Sequence, residues 1–303
     1  MEQPGRALHS ESSVFGMNRA LEYIKTNLNE ALTLEEISRV ALLSRFHFHR
    51  IFKMVTSESL AQFIQRLRIE RAVNIINGDV PVSLTDIAMD CGFTSSAYFS
   101  RVFKEHFGIS ASAFRQLSFH EKQQFIDART KGLIPLQKIP EFEGELEVEL
   151  ETVPRTRVAY IRKYYLDLQQ EPAIIHRMFD YITSWGHQKG LMGVETRVMG
   201  IIHDNPYLTP FSKYQYDACI TVPPSVCAEG IVDVKTVPPG KYAVLKLRKV
   251  NKEMLERGIY AFLASWVPAS GYEIDDRQIL EFYYGPPQTG YYTMDFCVPV
   301  IEN

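Results

Sequence analysis

Apolar residues recur at helical spacing through the first part of the chain and switch toward alternation and dense aromatics beyond about residue 145. After a polar start expected to fray over residues 1 to about 12, Met17, Ala20, Leu21, Ile24 and Leu28 mark a helix from Val14 to Leu28. Thr33 and Glu36 then read as a capping box, with Leu34, Ile37 and Ala41 as the buried stripe behind it. The turn Leu42-Leu43-Ser44 leads to a helix with Phe48, Ile51, Phe52 and Val55 inward. Its open side carries Arg45, Phe46, His49, Arg50 and Lys53. A long helix from about Ser59 to Ile76 follows and stops at Asn77-Gly78-Asp79.

This pattern occurs twice. Thr33, Leu34, Glu36 and Ile37 match Ser83, Leu84, Asp86 and Ile87 at an offset of 50. Past the turn, Ser44, Phe48, Arg50, Phe52 and Lys53 match Ser95, Phe99, Arg101, Phe103 and Lys104 at an offset of 51, one turn residue having been gained near Gly92. One such unit reads as an ordinary helical hairpin with a basic face. Two capped units with Arg and Lys at equal places fit duplicated DNA readers. Joined by a stiff helix, they can enter successive major-groove segments of double-stranded DNA, about 34 Å apart on one face. Arg45, Lys53 and Lys104 suit phosphates, which position rather than specify. His47 and His49, two apart on a helix, make a poor metal pair.

Residues 118–144, with Gly132, Pro135 and Pro140, read as a linker between two domains. Beyond it a second repeat emerges. Thr152-Val153-Pro154 and Thr236-Val237-Pro238 lie 84 apart, Ser184-Trp185 and Ser265-Trp266 lie 81 apart, and Asp217-Ala218-Cys219 and Asp295-Phe296-Cys297 lie 78 apart. Helices are expected over about 172–189, ending near Ser184-Trp185-Gly186, and again up to Ser265-Trp266. The implied architecture is two strand-helix-strand-strand units about an approximate twofold axis, with a groove between them suited to a small molecule. At the tryptophan offset Glu281 aligns with Gly200, so one half has a carboxylate where the other has none; Tyr283 shares its strand face. The plain alternative is a solvent-facing glutamate on a half-exposed strand.

Composition changes this picture little. The 303 residues are 46% hydrophobic and 23% charged, enough for a full core in two domains. Lys and Arg number 17 against 14 acidic residues through Pro140, and 16 against 22 beyond it, a mild bias toward a nucleic-acid partner in the first part. Cys91, Cys219, Cys227 and Cys297 are scattered without a CxxC pair, which suggests neither zinc nor a disulfide framework. No apolar run approaches the ~18 residues of a membrane span. No signal peptide is evident, so a cytoplasmic location is expected and no membrane partner.

From about Val14 to Arg115 the chain resembles the DNA-binding domain of AraC/XylS transcriptional regulators. The match is strongest from Ile87-Ala88 through Cys91-Gly92-Phe93 to Tyr98-Phe99-Ser100-Arg101-Val102-Phe103-Lys104 and Phe107-Gly108. That family usually has Gly and Pro where this chain has Thr56-Ser57-Glu58-Ser59, and Pro where it has Ala111. The resemblance implies groove contacts from Phe46, His49 and Arg50 in the first unit and from Ser96, Ala97 and Arg101 in the second. Arg can bond guanine O6 and N7. Residues 145–303 resemble the GyrI-like effector-binding domain, on the duplicated Thr-Val-Pro strands, the Glu-x-Tyr strand and the closing strand. That resemblance implies a buried acid, Glu281, facing lipophilic and often cationic ligands, walled by aromatics; the candidates are Tyr160, Trp185, Tyr216, Trp266 and Tyr283.

The expected fold is therefore multidomain α and α+β. An all-α double helix-turn-helix domain spans 13–117, a linker 118–144, and a duplicated strand-helix-strand-strand domain 145–303. The function expected is a bacterial transcription regulator that senses a small ligand, with double-stranded DNA, a small-molecule effector and RNA polymerase as partners. It calls for no cofactor, metal or catalytic residue. Two alternatives stand beside it: a GyrI-like small-molecule hydrolase tethered to a DNA reader, with Glu281 as general base, and a module that binds protein instead of ligand.

Overall fold

The computed structural model describes residues 11–77, 82–118, 121–122, 124–126, 144–164, 171, 173–204, 208–209, 213–285 and 290–302. The start of the chain, the stop at Gly78-Asp79, most of the expected linker and Pro172 lie outside them. Two compact units are present: Met1–Gly132 with Tyr207–Lys213, and Leu133–Pro206 with Tyr214–Asn303.

The first unit is built of helices: α1 (Glu11–Thr26), α2 (Leu34–Val40), α3 (Arg45–Thr56), α4 (Leu60–Asn77), α5 (Leu84–Asp90), α6 (Ser96–Phe107) and α7 (Ala111–Arg115). Thr33, Ser44, Ser83 and Ser95 cap α2, α3, α5 and α6. Each hydroxyl accepts the amide three residues on. Such a cap contributes about 1 kcal/mol, so each helix carries its own start signal. The Glu36 side chain does not close the expected box; it takes the Tyr23 hydroxyl instead.

The two helix-turn-helix units share their backbone turns. Leu42 (φ 56°) stands where the second unit has Gly92 (φ 79°), and Ser57 (φ 57°) where it has Gly108 (φ 77°). Thr56–Ser59 thus departs from the family in residue type while keeping the left-handed turn, at about 1–2 kcal/mol of strain at Ser57. Ala111 opens α7 behind the Ser110 cap, a place that Pro and Ala both fit. Gly92 has a packing reason as well: a Cβ there would stand 2.3 Å from the Leu28 carbonyl oxygen. Beneath the second unit, Phe93, Phe99, Phe103, Phe107 and Phe114 stack ring to ring, with centroids 4.8 to 5.6 Å apart.

The second unit is an antiparallel sheet covered by helices on one face. Its strands are β1 (Val148–Val153), β2 (Thr156–Lys163), β3 (Val198–Ile202), β4 (Tyr216–Thr221), β5 (Asp233–Val237), β6 (Gly240–Asn251), β7 (Tyr272–Ile274), β8 (Ile279–Tyr283) and β9 (Tyr291–Glu302). The sheet order is β1-β6-β9-β8-β3-β4-β2-β5, with β7 added on β9. Exchanging β1 with β5, β2 with β6, β3 with β8 and β4 with β9 returns the same order, as a twofold axis requires. Each half opens with a strand beyond those expected, the second adding β7 as well, and that leading strand is exchanged: β1 pairs with β6, and β5 with β2. The Thr-Val-Pro triplets mark where the chain crosses between halves, Pro having no N–H to offer a ladder.

Helix α8 (Ile174–Gln188) follows β2, and α9 (Lys252–Ala261) follows β6. The first ends at Gln188, within the expected 172–189 and two residues past Gly186, and the second continues beyond Trp266. Gly186 lies inside α8 because a Cβ there would meet Ile220 at 2.6 Å; the glycine serves close helix–sheet approach. The second helix runs on through Ser265-Trp266 as a π turn (Phe262–Trp266) into α10 (Val267–Ala269).

Each half also buries an aspartate on the sheet face away from Glu281. Asp217 takes Arg162 at 2.6 and 2.8 Å, His203 at 2.7 Å and Lys235 at 2.6 Å. Burial alone would raise its pKa, but Arg162, His203 and Lys235 together hold it well below the usual carboxylate range. Its repeat-mate Asp295 takes Arg248 at 2.7 Å and the Tyr284 hydroxyl, Tyr284 standing at the repeat position of His203. Asp217→Ala should cost about 3–5 kcal/mol, read as a lowered urea midpoint, because it strands buried cations. In the wild type this contribution is present above the ordinary Asp range and is lost as pH falls through it toward Asp217's own lower value.

Candidate functional sites

On α3, Arg45, Phe46, His49, Arg50 and Lys53 are all exposed, while Phe48, Ile51 and Phe52 are fully buried. Phe46 is 84% exposed and so contributes nothing to the core. On α6, Ala97, Arg101 and Lys104 are exposed and Ser96 is half-buried. The Arg101 guanidinium lies 5.3 Å above the Tyr98 ring, whose hydroxyl accepts from Gln65 at 3.2 Å. Arg101 is therefore oriented before any contact forms, whereas α3 offers a broader set of large side chains. These faces can pair with phosphates and base edges.

The second site forms at the twofold axis. Glu281 is 9% exposed and lies on the helix-covered face of the sheet. Tyr216 Oη donates to its Oε2 at 2.6 Å and Tyr283 Oη to the same oxygen at 2.8 Å; the two hydroxyls are 3.3 Å apart. Phe179 of α8 closes over them, its ring 5.0 Å from that of Tyr283 and 6.2 Å from that of Tyr216. In the β3–β8 pairing Gly200 faces Glu281. Since these two residues are also repeat-mates, the axis passes between them.

Burial pushes the Glu281 carboxyl above its ordinary value, the bonds from Tyr216 and Tyr283 working against that push. Both tyrosines are raised well above the usual phenol range by burial and by the neighbouring carboxylate. An acid bonded to two neutral donors in an apolar, aromatic setting, with no countercharge bonded to it among the described residues, can accept an organic cation.

Of the six candidates, Glu281, Tyr216 and Tyr283 come together. Tyr160 lies on the opposite sheet face, its hydroxyl on Asp233 at 3.2 Å and its ring flanked by Arg162 and Lys235. Trp185 lines a cavity of about 410 Å³ with Lys189, Leu191, Val226, Cys227, Ala228 and Glu229. Trp266 packs on Phe262, which meets Phe296, the β9 neighbour of Glu281, so it stands one layer out. Sequence reasoning placed Phe179 in the helix without assigning it to the site. The repeat carried a signal for Gly200, though not for its contact with Tyr216. Among the described residues no group of His, Cys, Asp or Glu could hold a metal ion, and no helix is long and apolar enough to cross a membrane.

The chain thus combines two helix-turn-helix units with basic outer faces and a sheet domain that buries one acid on its axis. The chain belongs to the GyrI-like small molecule binding domain family, matched over residues 146–301, and carries an AraC-type helix-turn-helix domain matched over 37–117. The probable transcription factor PqrA of Proteus vulgaris is 31% identical over 102 residues, 33% of this chain and 83% of that protein. The bifunctional transcriptional activator/DNA repair enzyme AdaA of Bacillus subtilis is 34% identical over 101 residues, 33% of this chain and 47% of that protein. This chain thus spans about half the length of AdaA. The melibiose operon regulatory protein of Escherichia coli K12 is 30% identical over 116 residues, 38% of each chain. Among solved structures, an EcmrR–DNA complex in EcmrR-RPo covers 89% of this chain and 99% of that one, at 15% identity and a TM-score of 0.43. Nothing in these matches supports the hydrolase alternative.

The raised Glu281 carboxyl carries a stability signature. Between the ordinary Glu range and its own higher value, the folded protein holds a proton that the unfolded chain has released, so stability falls as pH rises through that window. Glu281→Gln should remove this fall, giving a higher melting temperature than wild type at neutral pH and a difference that closes toward pH 4 on thermal melts.

Proposed function

We propose that the protein is a cytoplasmic one-component transcription regulator. A reader over 13–117 binds two successive major-groove segments of double-stranded DNA. A linker over 118–144 joins it to a sensor over 145–303 that takes a lipophilic, cationic effector. The observation that carries the sensing half is the Glu281 carboxylate, buried on the axis with two neutral phenols and, among the described residues, no cation bonded to it. RNA polymerase is the proposed protein partner, as the apparatus that a regulator of this class must influence. Base contacts fall to Phe46, His49, Arg50, Ser96, Ala97 and Arg101, and phosphate contacts to Arg45, Lys53 and Lys104. The ligand meets Glu281, Tyr216 and Tyr283 first, with Phe179 above them; Tyr160, Trp185 and Trp266 stand further out.

Calorimetric titration with tetraphenylphosphonium, a permanent lipophilic cation, tests the sensor. Glu281→Gln should weaken binding at least about tenfold, as loss of one partner of a buried charge pair does, and should spare neutral triphenylphosphine oxide. Equal affinity for the cation in both proteins rules the assignment out.

For the reader, Arg50→Ala and Arg101→Ala should each cost about 1–3 kcal/mol in gel-shift titrations on DNA selected from a random pool. Unchanged affinity in both variants would remove the two-reader arrangement.

A further inference from the structure

Tyr216 and Glu281 stand on strands two apart, β4 and β8, with β3 between them. Strands so placed are separated by about 10 Å. The side chains nevertheless meet at 2.6 Å. They lie over β3 at Gly200, which pairs with Glu281 on one side and Ala218 on the other. A Cβ on Gly200 would stand 2.0 Å from Tyr216 Oη, 2.7 Å from Tyr216 Cζ and 2.7 Å from Glu281 Oε2. Gly200 is not among the glycines with positive φ, so its strand conformation is open to any residue. Its lack of a side chain is a matter of room, not of backbone freedom.

We infer that Gly200 is a positioning residue of the ligand site: by carrying no side chain where β3 passes beneath the polar trio, it seats the Tyr216 hydroxyl on Glu281. This rests on the reading of Glu281 as the ligand's carboxylate. The overlapping atoms are the far ends of two side chains, so a methyl group at Gly200 can be accommodated by moving Tyr216 aside. Gly200→Ala is then a way to break the Tyr216 bonds of the trio, to Glu281 and to Tyr283, while leaving every polar atom of it in the protein. The groups facing Glu281 are Tyr216 from β4, Tyr283 from β8, and apolar Phe179 and Phe296 from α8 and β9. Cys297 and Tyr292 lie next out. Of these, Tyr216 is the group that a Gly200 side chain would meet most closely.

The test needs no ligand and uses the full chain. Melting temperature is followed against pH for wild type, Gly200→Ala, Tyr216→Phe and the double variant, each compared with its own Glu281→Gln partner. The difference within each pair reports the titration of Glu281 alone. Gly200→Ala and Tyr216→Phe should both extend the window of falling stability to higher pH, by equal shifts, and the double variant should add nothing. A Gly200→Ala profile that coincides with wild type, or shifts that sum in the double variant, overturns the inference. If Gly200→Ala does not fold, Gly200→Ala/Tyr216→Ala removes the overlap with the Tyr216 ring and leaves only the end of the Glu281 side chain to shift. It should fold and match the profile of Tyr216→Ala, and failure on either count again overturns the inference. Tetraphenylphosphonium titration of Glu281→Gln stands apart. Unchanged affinity there removes the ligand reading, while the pH profiles still decide whether Gly200 seats Tyr216.

Discussion

A residue on a twofold axis faces its own equivalent, and the ligand domain depends on how that confrontation is resolved. Two identical halves would set glutamate against glutamate across adjacent strands, with Cβ atoms about 5 Å apart. Two carboxylates buried that closely cannot both be charged. Joining the halves in one chain let the two positions diverge, to Glu281 and Gly200. The neighbours diverged with them. Tyr216 and Tyr283 stand where the other half has Met294 and Ile202, and Phe179 where it has Tyr260. Away from the axis the copies share the two buried aspartates and the two tryptophans, with different partners around each.

The helical unit was doubled under a different constraint and diverged differently. Its inner faces, hydroxyl caps and left-handed turns were kept, even where a leucine or serine had to take a conformation natural to glycine. Its outer faces were not. The first carries Phe46, His49 and Arg50, and the second exposes Ala97 with a single arginine held by Tyr98. Packing bears on the inside of each copy, so the outside was free to acquire separate contacts.

Much of this was legible in the sequence because it is local or repeated. The Ser/Thr starts of the helices, the apolar stripes and both duplications are written in spacing alone. Gly186 shows the limit: it looks like a stop, and the room it leaves for Ile220 is visible once the sheet is in place. The exchange of leading strands was also hidden, since nothing in Val148–Val153 says which half it will join. At the site, Glu281 and Tyr283 share a strand and could be paired from alternation. Tyr216 needed the order of three strands, and Phe179 the docking of a helix. Trp185 and Trp266, the easiest residues to notice, stand outside the trio because conspicuous chemistry does not fix position.

The exchanged strands carry a consequence for how the sheet can come apart. The ladders β1–β6, β3–β8 and β5–β2 each join one half to the other. Each end strand of the order, β1 or β5, is held by the other half, and a cut in the loop between β4 and β5 would leave two fragments that must interlock to rebuild the sheet. The domain is thus laced rather than stacked, and β3–β8, at its midline, is the central crossing. A molecule seated at Glu281 sits on that crossing and grips both halves at once, so its hold is felt by the whole sheet as a tightened seam.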